Sequence, residues 1–178
     1  MSPRNRQVAR TLNAGGLGTL LFDLLTPDEA EDREKVFDIP LLAERLAATT
    51  AWLSRETKGR RLRIGYFGAS TGAAAALEAA AKLRDEVAAV VSRGGRPDLA
   101  MRSLHAVTAP TLLIVGENDE PVLTWNREAQ KNLLCENHLV VVPGATHLFE
   151  EPGALETVAR FATAWFKRHL ERAAPAKA

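Results

Sequence analysis

Apolar positions along this chain follow two alternating rhythms: short unbroken apolar runs, and longer stretches in which apolar residues recur every three or four positions. The first helical stretch opens at Ser2-Pro3, a serine N-cap with proline in the first turn. It places Val8 and Leu12 on one face and stops at Gly15-Gly16. Thr19-Leu20-Leu21-Phe22 is a short apolar strand candidate ending at Asp23, and a polar loop rich in Asp and Glu spans 28–38. Leu42, Leu46 and Leu53, with Trp52 beside them, predict an amphipathic helix closing near Gly59. A strand is expected over 62–67, an alanine-rich helix over 72–83 and a third strand over 87–91. Arg93-Gly94-Gly95-Arg96-Pro97 then leads into a short helix over 98–105. The most apolar strand is predicted at 111–115, a helix at 121–134 and a further strand at 139–142. Leu155, Val158, Ala162, Trp165, Phe166 and Leu170 mark a strongly amphipathic last helix, and from about Ala173 the chain reads as a frayed tail.

Apolar strands alternating with helices predict an α/β fold: a mainly parallel sheet of about five strands with helices on both faces. The 178 residues read as one domain over 1–172 with a disordered tail over 173–178. In such sheets the ligand site lies beyond the carboxyl ends of the strands, which limits the polar residues able to meet.

Composition changes this picture little. With 46% hydrophobic and 25% charged residues and a net charge of +1, the chain has the balance of a soluble domain. It gives no support for a nucleic-acid or membrane partner. Arg4, Arg6 and Arg10 stand at helical spacing and read as a solvated face. The single Cys135 excludes an intrachain disulfide framework and suits a reducing compartment. With no signal peptide and no apolar run of spanning length, a cytoplasmic protein is expected.

The candidate chemistry gathers at the expected carboxyl edge. Gly68-Ala69-Ser70-Thr71-Gly72 is a Gly-x-Ser-x-Gly motif at a strand-to-helix turn, where a tight turn lifts a serine hydroxyl above the sheet. A serine that merely caps the alanine helix would read alike over these five residues. A serine nucleophile needs a base. His105 lies in a short helix, His138 at the amino end of its strand and His169 in the last helix. His147, in Pro143-Gly144-Ala145-Thr146-His147, follows a strand at its carboxyl end. The orienting acid is Asp119 in Gly116-Glu117-Asn118-Asp119, with Glu117 the nearest rival and Asp98 a more distant one. A turn-forming aspartate ahead of Pro121 would look the same. Together Ser70, Asp119 and His147 fall in the order Ser…Asp…His, each after a parallel strand, which is the order of the α/β-hydrolases.

Phe67-Gly68-Ala69-Ser70-Thr71-Gly72, Leu113-Ile114-Val115-Gly116-Glu117-Asn118-Asp119 and Val142-Pro143-Gly144-Ala145-Thr146-His147-Leu148-Phe149 together resemble the dienelactone-hydrolase-like branch of the α/β-hydrolases. More narrowly, they are similar to members found alone or fused to phosphoribosyltransferase domains. The resemblance runs from about Ser2 to Leu170. It implies Ser70 as nucleophile, His147 as base, Asp119 as orienter and the Thr71 N–H as one oxyanion donor, acting on a small ester or thioester through an acyl-enzyme. Dienelactone hydrolase proper uses a cysteine where Ser70 stands, so a broader carboxylic-ester substrate is expected. The resemblance also implies strands and a His-Gly-type loop ahead of the first helix, which supply the second oxyanion donor. This sequence starts at the helix cap, and a fragment of a longer hydrolase is the preferred expectation. A rearranged sheet with a weakened site, or a non-catalytic binding module, are the alternatives.

Arg93 and Arg96, at the carboxyl edge of the 87–91 strand, are candidates for holding an anionic substrate group. His147 with Glu150 and Glu151 lacks a second histidine at ligand spacing, so no metal is expected. No phosphate loop or dinucleotide fingerprint implies a cofactor. The expected partners are a small ester substrate and either a second copy or a phosphoribosyltransferase-associated protein.

Overall fold

The computed structural model describes residues 2–58, 60 and 62–171, so Gly59 and the expected tail over 173–178 lie outside the described residues. Four strands, β1 (Ile64–Ala69), β2 (Val87–Arg93), β3 (Thr111–Gly116) and β4 (Asn137–Val142), form one sheet in the order β1-β2-β3-β4. Every pairing is parallel, with Ala69 opposite Arg93, Arg93 opposite Ile114 and Ile114 opposite Val140. All carboxyl ends therefore reach one edge.

Among the described residues seven α-helices accompany the sheet: α1 (Pro3–Ala14), α2 (Pro27–Ala30), α3 (Arg33–Val36), α4 (Ile39–Glu56), α5 (Thr71–Leu83), α6 (Glu120–Asn132) and α7 (Ala154–Leu170). Strand parity divides the core. Val91 and Ile114 point to one face, where Val8 and Leu12 of α1 meet Val158, Ala162 and Phe166 of α7. Val90 and Leu113 point to the other, against Leu42 of α4, Leu77 of α5 and Leu104. Alanines let α5 lie close to the sheet: Ala73 to Ala76, Ala79 and Ala80 are all buried. Gly65 fits because a Cβ there would stand 2.7 Å from the Phe166 ring.

Two expectations are corrected. Residues 19–22 form no strand: 17–23 join neither helix nor sheet, and Leu20 is 47% exposed. An apolar run becomes a strand only with a ladder partner, and among the described residues β1 pairs on one side alone. Among the described residues the sheet thus has four strands, where about five are expected. The acidic stretch 28–38 is not a plain loop but carries α2 and α3. Thr26 and Glu29 make a reciprocal capping box, Asp32 accepts from the Glu34 N–H at 2.9 Å, and Asp38 accepts from the Leu41 N–H at 3.0 Å. Arg45 of α4 clamps this segment, donating to both Glu29 oxygens at 2.6 and 2.8 Å and to the Leu24 carbonyl at 2.8 Å. The short helix expected at 98–105 is a 3₁₀ segment, Pro97–Ala106, kinked at Ala100.

Candidate active site

Ser70 stands between β1 and α5 with φ 51° and ψ −124°, a backbone state that a non-glycine residue rarely adopts. Three backbone bonds hold it there. Its N–H donates to the Arg93 carbonyl at 3.3 Å, and its own carbonyl accepts from Arg96 at 3.2 Å and Ala73 at 3.1 Å. Gly68 makes the turn possible, because a Cβ there would lie 2.5 Å from the Gly72 carbonyl oxygen and 2.6 Å from the Ala73 Cα. Gly72 itself faces open space. Ser70 occupies the N-cap position of α5, yet its side chain makes no capping bond, so the hydroxyl is left for other work. The Thr71 N–H, first in α5, has no intrahelical acceptor and lies at the positive end of that helix.

Asp119 and His147 are brought together from two neighbouring strand ends. His147 Nδ1 is 2.7 Å from Asp119 Oδ2, and the carboxylate is nearly buried while the imidazole is partly open. Asp119 sits at the N-cap of α6 and makes no side-chain cap, so its oxygens face the histidine instead. With Asp119 ionised, Nδ1 carries the proton of the pair and Nε2 is left as the basic nitrogen. The acid loop and the histidine loop are laced together. Glu117 Oε2 accepts from the Gly144 N–H at 2.8 Å, Asn118 donates from its side chain to the Gly144 carbonyl at 3.0 Å, and its N–H reaches the Ala145 carbonyl at 2.9 Å. Beyond His147, the Thr146 hydroxyl donates to Glu151 Oε1 at 2.5 Å and the Thr146 N–H at 3.0 Å, and these bonds, the hydroxyl's first, hold the Glu151 carboxyl below its ordinary range.

Among the carboxylates weighed from sequence, Glu117 braces the histidine loop and Asp98 is committed to Arg96. His147 also touches the end of β2: a Cβ on Gly94 would stand 3.2 Å from its carbonyl oxygen and 3.5 Å from its Cε1. Ser70 and His147 thus flank the same Arg93–Gly94 segment, and among the described residues no hydrogen bond joins them directly. His138 and His169 lie elsewhere, packed on Trp165 at ring separations of 5.5 and 4.3 Å.

The two arginines differ. Arg96 donates to both oxygens of Asp98, at 2.9 and 2.7 Å, and its guanidinium lies 4.2 Å above the Trp125 ring. Arg93 is only 7% exposed, and its Nη1 is sealed from solvent without a partner. Burial, and secondarily the charge of Arg4, lowers its pKa to about 10, so it stays cationic at neutral pH. Sequence reasoning missed the bracing by Glu117, Asn118 and Glu151, since a carboxylate or amide in a turn carries no mark of its acceptor or donor.

Among the described residues no group of three or more His, Cys, Asp or Glu side chains is placed to hold a metal ion. No described helix is long and apolar enough to cross a membrane.

The family model of the dienelactone hydrolase family matches residues 25–172. The crystal structure of a dienelactone hydrolase from Anabaena variabilis is 53% identical, covers 96% of this chain and 81% of that one, and superposes with a TM-score of 0.90. A Mycobacterium tuberculosis protein with a provisional phosphoribosyl transferase name is 60% identical over 169 residues, which are 95% of this chain. The chain spans 38% of the length of that curated relative. The esterase domain of a Rhodothermus marinus protein is 20% identical with a TM-score of 0.75, covering 94% of this chain and 80% of that one, and shares the fold.

Proposed function

Since the chain belongs to the dienelactone hydrolase family and has an α/β-hydrolase fold, we propose that it is a serine hydrolase of carboxylic esters or thioesters with Ser70 as nucleophile. The observation that carries this reading is the 2.7 Å contact of His147 Nδ1 with Asp119 at the same sheet edge as the strained turn of Ser70. His147 Nε2 takes the Ser70 proton as Oγ attacks the carbonyl carbon, and Asp119 steadies the imidazolium that forms. The Thr71 N–H and the α5 N-terminus face the developing oxyanion. The imidazolium returns its proton to the leaving alcohol or thiol, giving an acyl-Ser70 ester. Water deprotonated by His147 then releases the acid.

One observation favours a second reading, a binding domain without turnover: among the described residues Ser70 and His147 share no direct hydrogen bond. A fluorophosphonate probe separates the two. The hydrolase reading expects covalent labelling at Ser70, absent in Ser70→Ala and slowed at least 100-fold in His147→Ala. A protein that is folded by circular dichroism yet unlabelled would overturn it.

A further inference from the structure

An asparagine sealed in a core is costly to keep when one of its polar atoms goes unanswered, so its place there points to a role other than stability. Asn126 of α6 is such a residue. It lies on the buried face of its helix with Val122, Leu123 and Ala129, and none of its surface is exposed. Among the described residues its Oδ1 has no hydrogen-bond partner. Its Nδ2 carries two bonds, one to the Val122 carbonyl at 2.8 Å and one across to the Gly95 carbonyl at 3.0 Å. Two carbonyl acceptors on the same side fix the amide's orientation, since a flipped amide would turn its oxygen to both.

Gly95 belongs to the segment that wraps the nucleophile turn. The Arg93 carbonyl accepts from the Ser70 N–H at 3.3 Å and the Arg96 N–H donates to the Ser70 carbonyl at 3.2 Å, so Gly95 stands between two contacts with one residue. It has no slack on its inner side, where a Cβ would lie 2.7 Å from the side chain of Ala73 in the first turn of α5. Trp125, the neighbour of Asn126, grips the neighbour of Gly95. Its ring lies 4.2 Å from the Arg96 guanidinium, which Asp98 also holds at 2.9 and 2.7 Å. Asp119, which meets His147, caps the start of α6 seven residues ahead of Asn126. One face of one helix therefore reaches the histidine pair and, about 10 Å further along, the loop that carries Ser70.

We propose that Trp125 and Asn126 are a positioning pair for the nucleophile: through Gly95 and Arg96, α6 holds the strained Ser70 turn in register with Asp119 and His147. This deepens the hydrolase reading and, for its effect on turnover, rests on it. Both residues act through the loop rather than on the reacting atoms.

Two measurements on the full chain test the pair, one of them blind to catalysis. Hydrogen exchange followed by NMR at the Ser70 and Arg96 amides is expected to quicken about tenfold or more in Asn126→Leu, relative to Leu113 of β3. With 4-nitrophenyl butyrate, kcat is expected to fall about 10- to 100-fold while KM stays within about threefold, because a misplaced Oγ slows the chemical step and not binding. A merely structural role would quicken all three amides alike and leave kcat per folded molecule unchanged. Unchanged relative exchange at Ser70 and Arg96 overturns the pair, and so does an unchanged kcat beside quickened exchange. Should Asn126→Leu not fold, Trp125→Leu at its half-buried position decides on the same criteria. A parent protein that turns over no ester removes the hydrolase reading, and the exchange result alone then decides whether α6 holds the Ser70 turn.

Discussion

At Ser70 the backbone holds φ 51°, a state that costs a non-glycine residue on the order of 1–3 kcal/mol. Three backbone hydrogen bonds and the absent side chain of Gly68 keep it there. Asp119 and Glu117 show how finely neighbouring carboxylates can be told apart: both follow β3, but one meets the histidine ring and the other the backbone of the histidine loop. Under the proposed hydrolase mechanism, Asp119→Asn is expected to slow ester turnover by about 10⁴-fold, as loss of the proposed orienting acid would reverse the tautomer preference of His147. Glu117→Gln is expected to cost less than about tenfold, acting only through loop position. Stopped-flow acylation of both variants, with circular dichroism as a control for folding, reads the difference. Equal losses would move the orienting role away from Asp119. Neither sequence position nor residue type separates the two acids. Which one faces the ring depends on the turn into α6, a property of backbone direction.

The elements divide by whether their cause is local. The capping box of Thr26 and Glu29 is written within four residues, yet a one-turn helix has no apolar periodicity to set it apart from a polar loop. Residues 19–22 have the right apolar run and form no strand, since a strand is made by its neighbour as much as by its own side chains. β1 to β4 and α5 were legible because each buries a run whose length and pattern suffice alone. The direction of Arg93 was not, for a shift of one residue turns a strand side chain to the opposite face. The α2 segment also carries a pH signature. Hydrogen bonds from Arg45 and then the Thr26 N–H hold the Glu29 carboxyl at about 2, below its ordinary 4.5. A carboxyl lowered in the folded state stabilises fully above its unfolded value, and that contribution is lost as pH falls from 4.5 towards 2. Glu29→Gln should accordingly be less stable than the parent at pH 7, with the gap between their urea midpoints closing at pH 2.5. A gap independent of pH would remove the ion pair from the account.

On the scale of the whole molecule, one sheet separates two cores, and the α1/α7 side joins two helices far apart in sequence. Gln7 donates to Glu156 at 2.9 Å, Arg4 meets Glu150 at 2.7 Å, and Thr163 packs on Gly15. A chain stopped at Gly153 loses α7 and uncovers Val8, Leu12, Val91 and Ile114 together. It is expected to bind an apolar dye and to show no cooperative urea transition, since the lost cluster far exceeds the few kcal/mol of net stability in a domain of this size. A sharp transition in the shortened chain would show that the α4/α5 core stands alone. The strand order β1-β2-β3-β4, identical to chain order, has a further consequence during synthesis. Each strand leaving the ribosome finds its partner already made, so the sheet is able to grow one edge at a time. α1 has no such fortune. At about 5–20 residues per second, translation leaves its apolar face without α7 for roughly 10 to 30 seconds. For that interval Val8 and Leu12 are the part of the nascent chain that a chaperone has reason to hold.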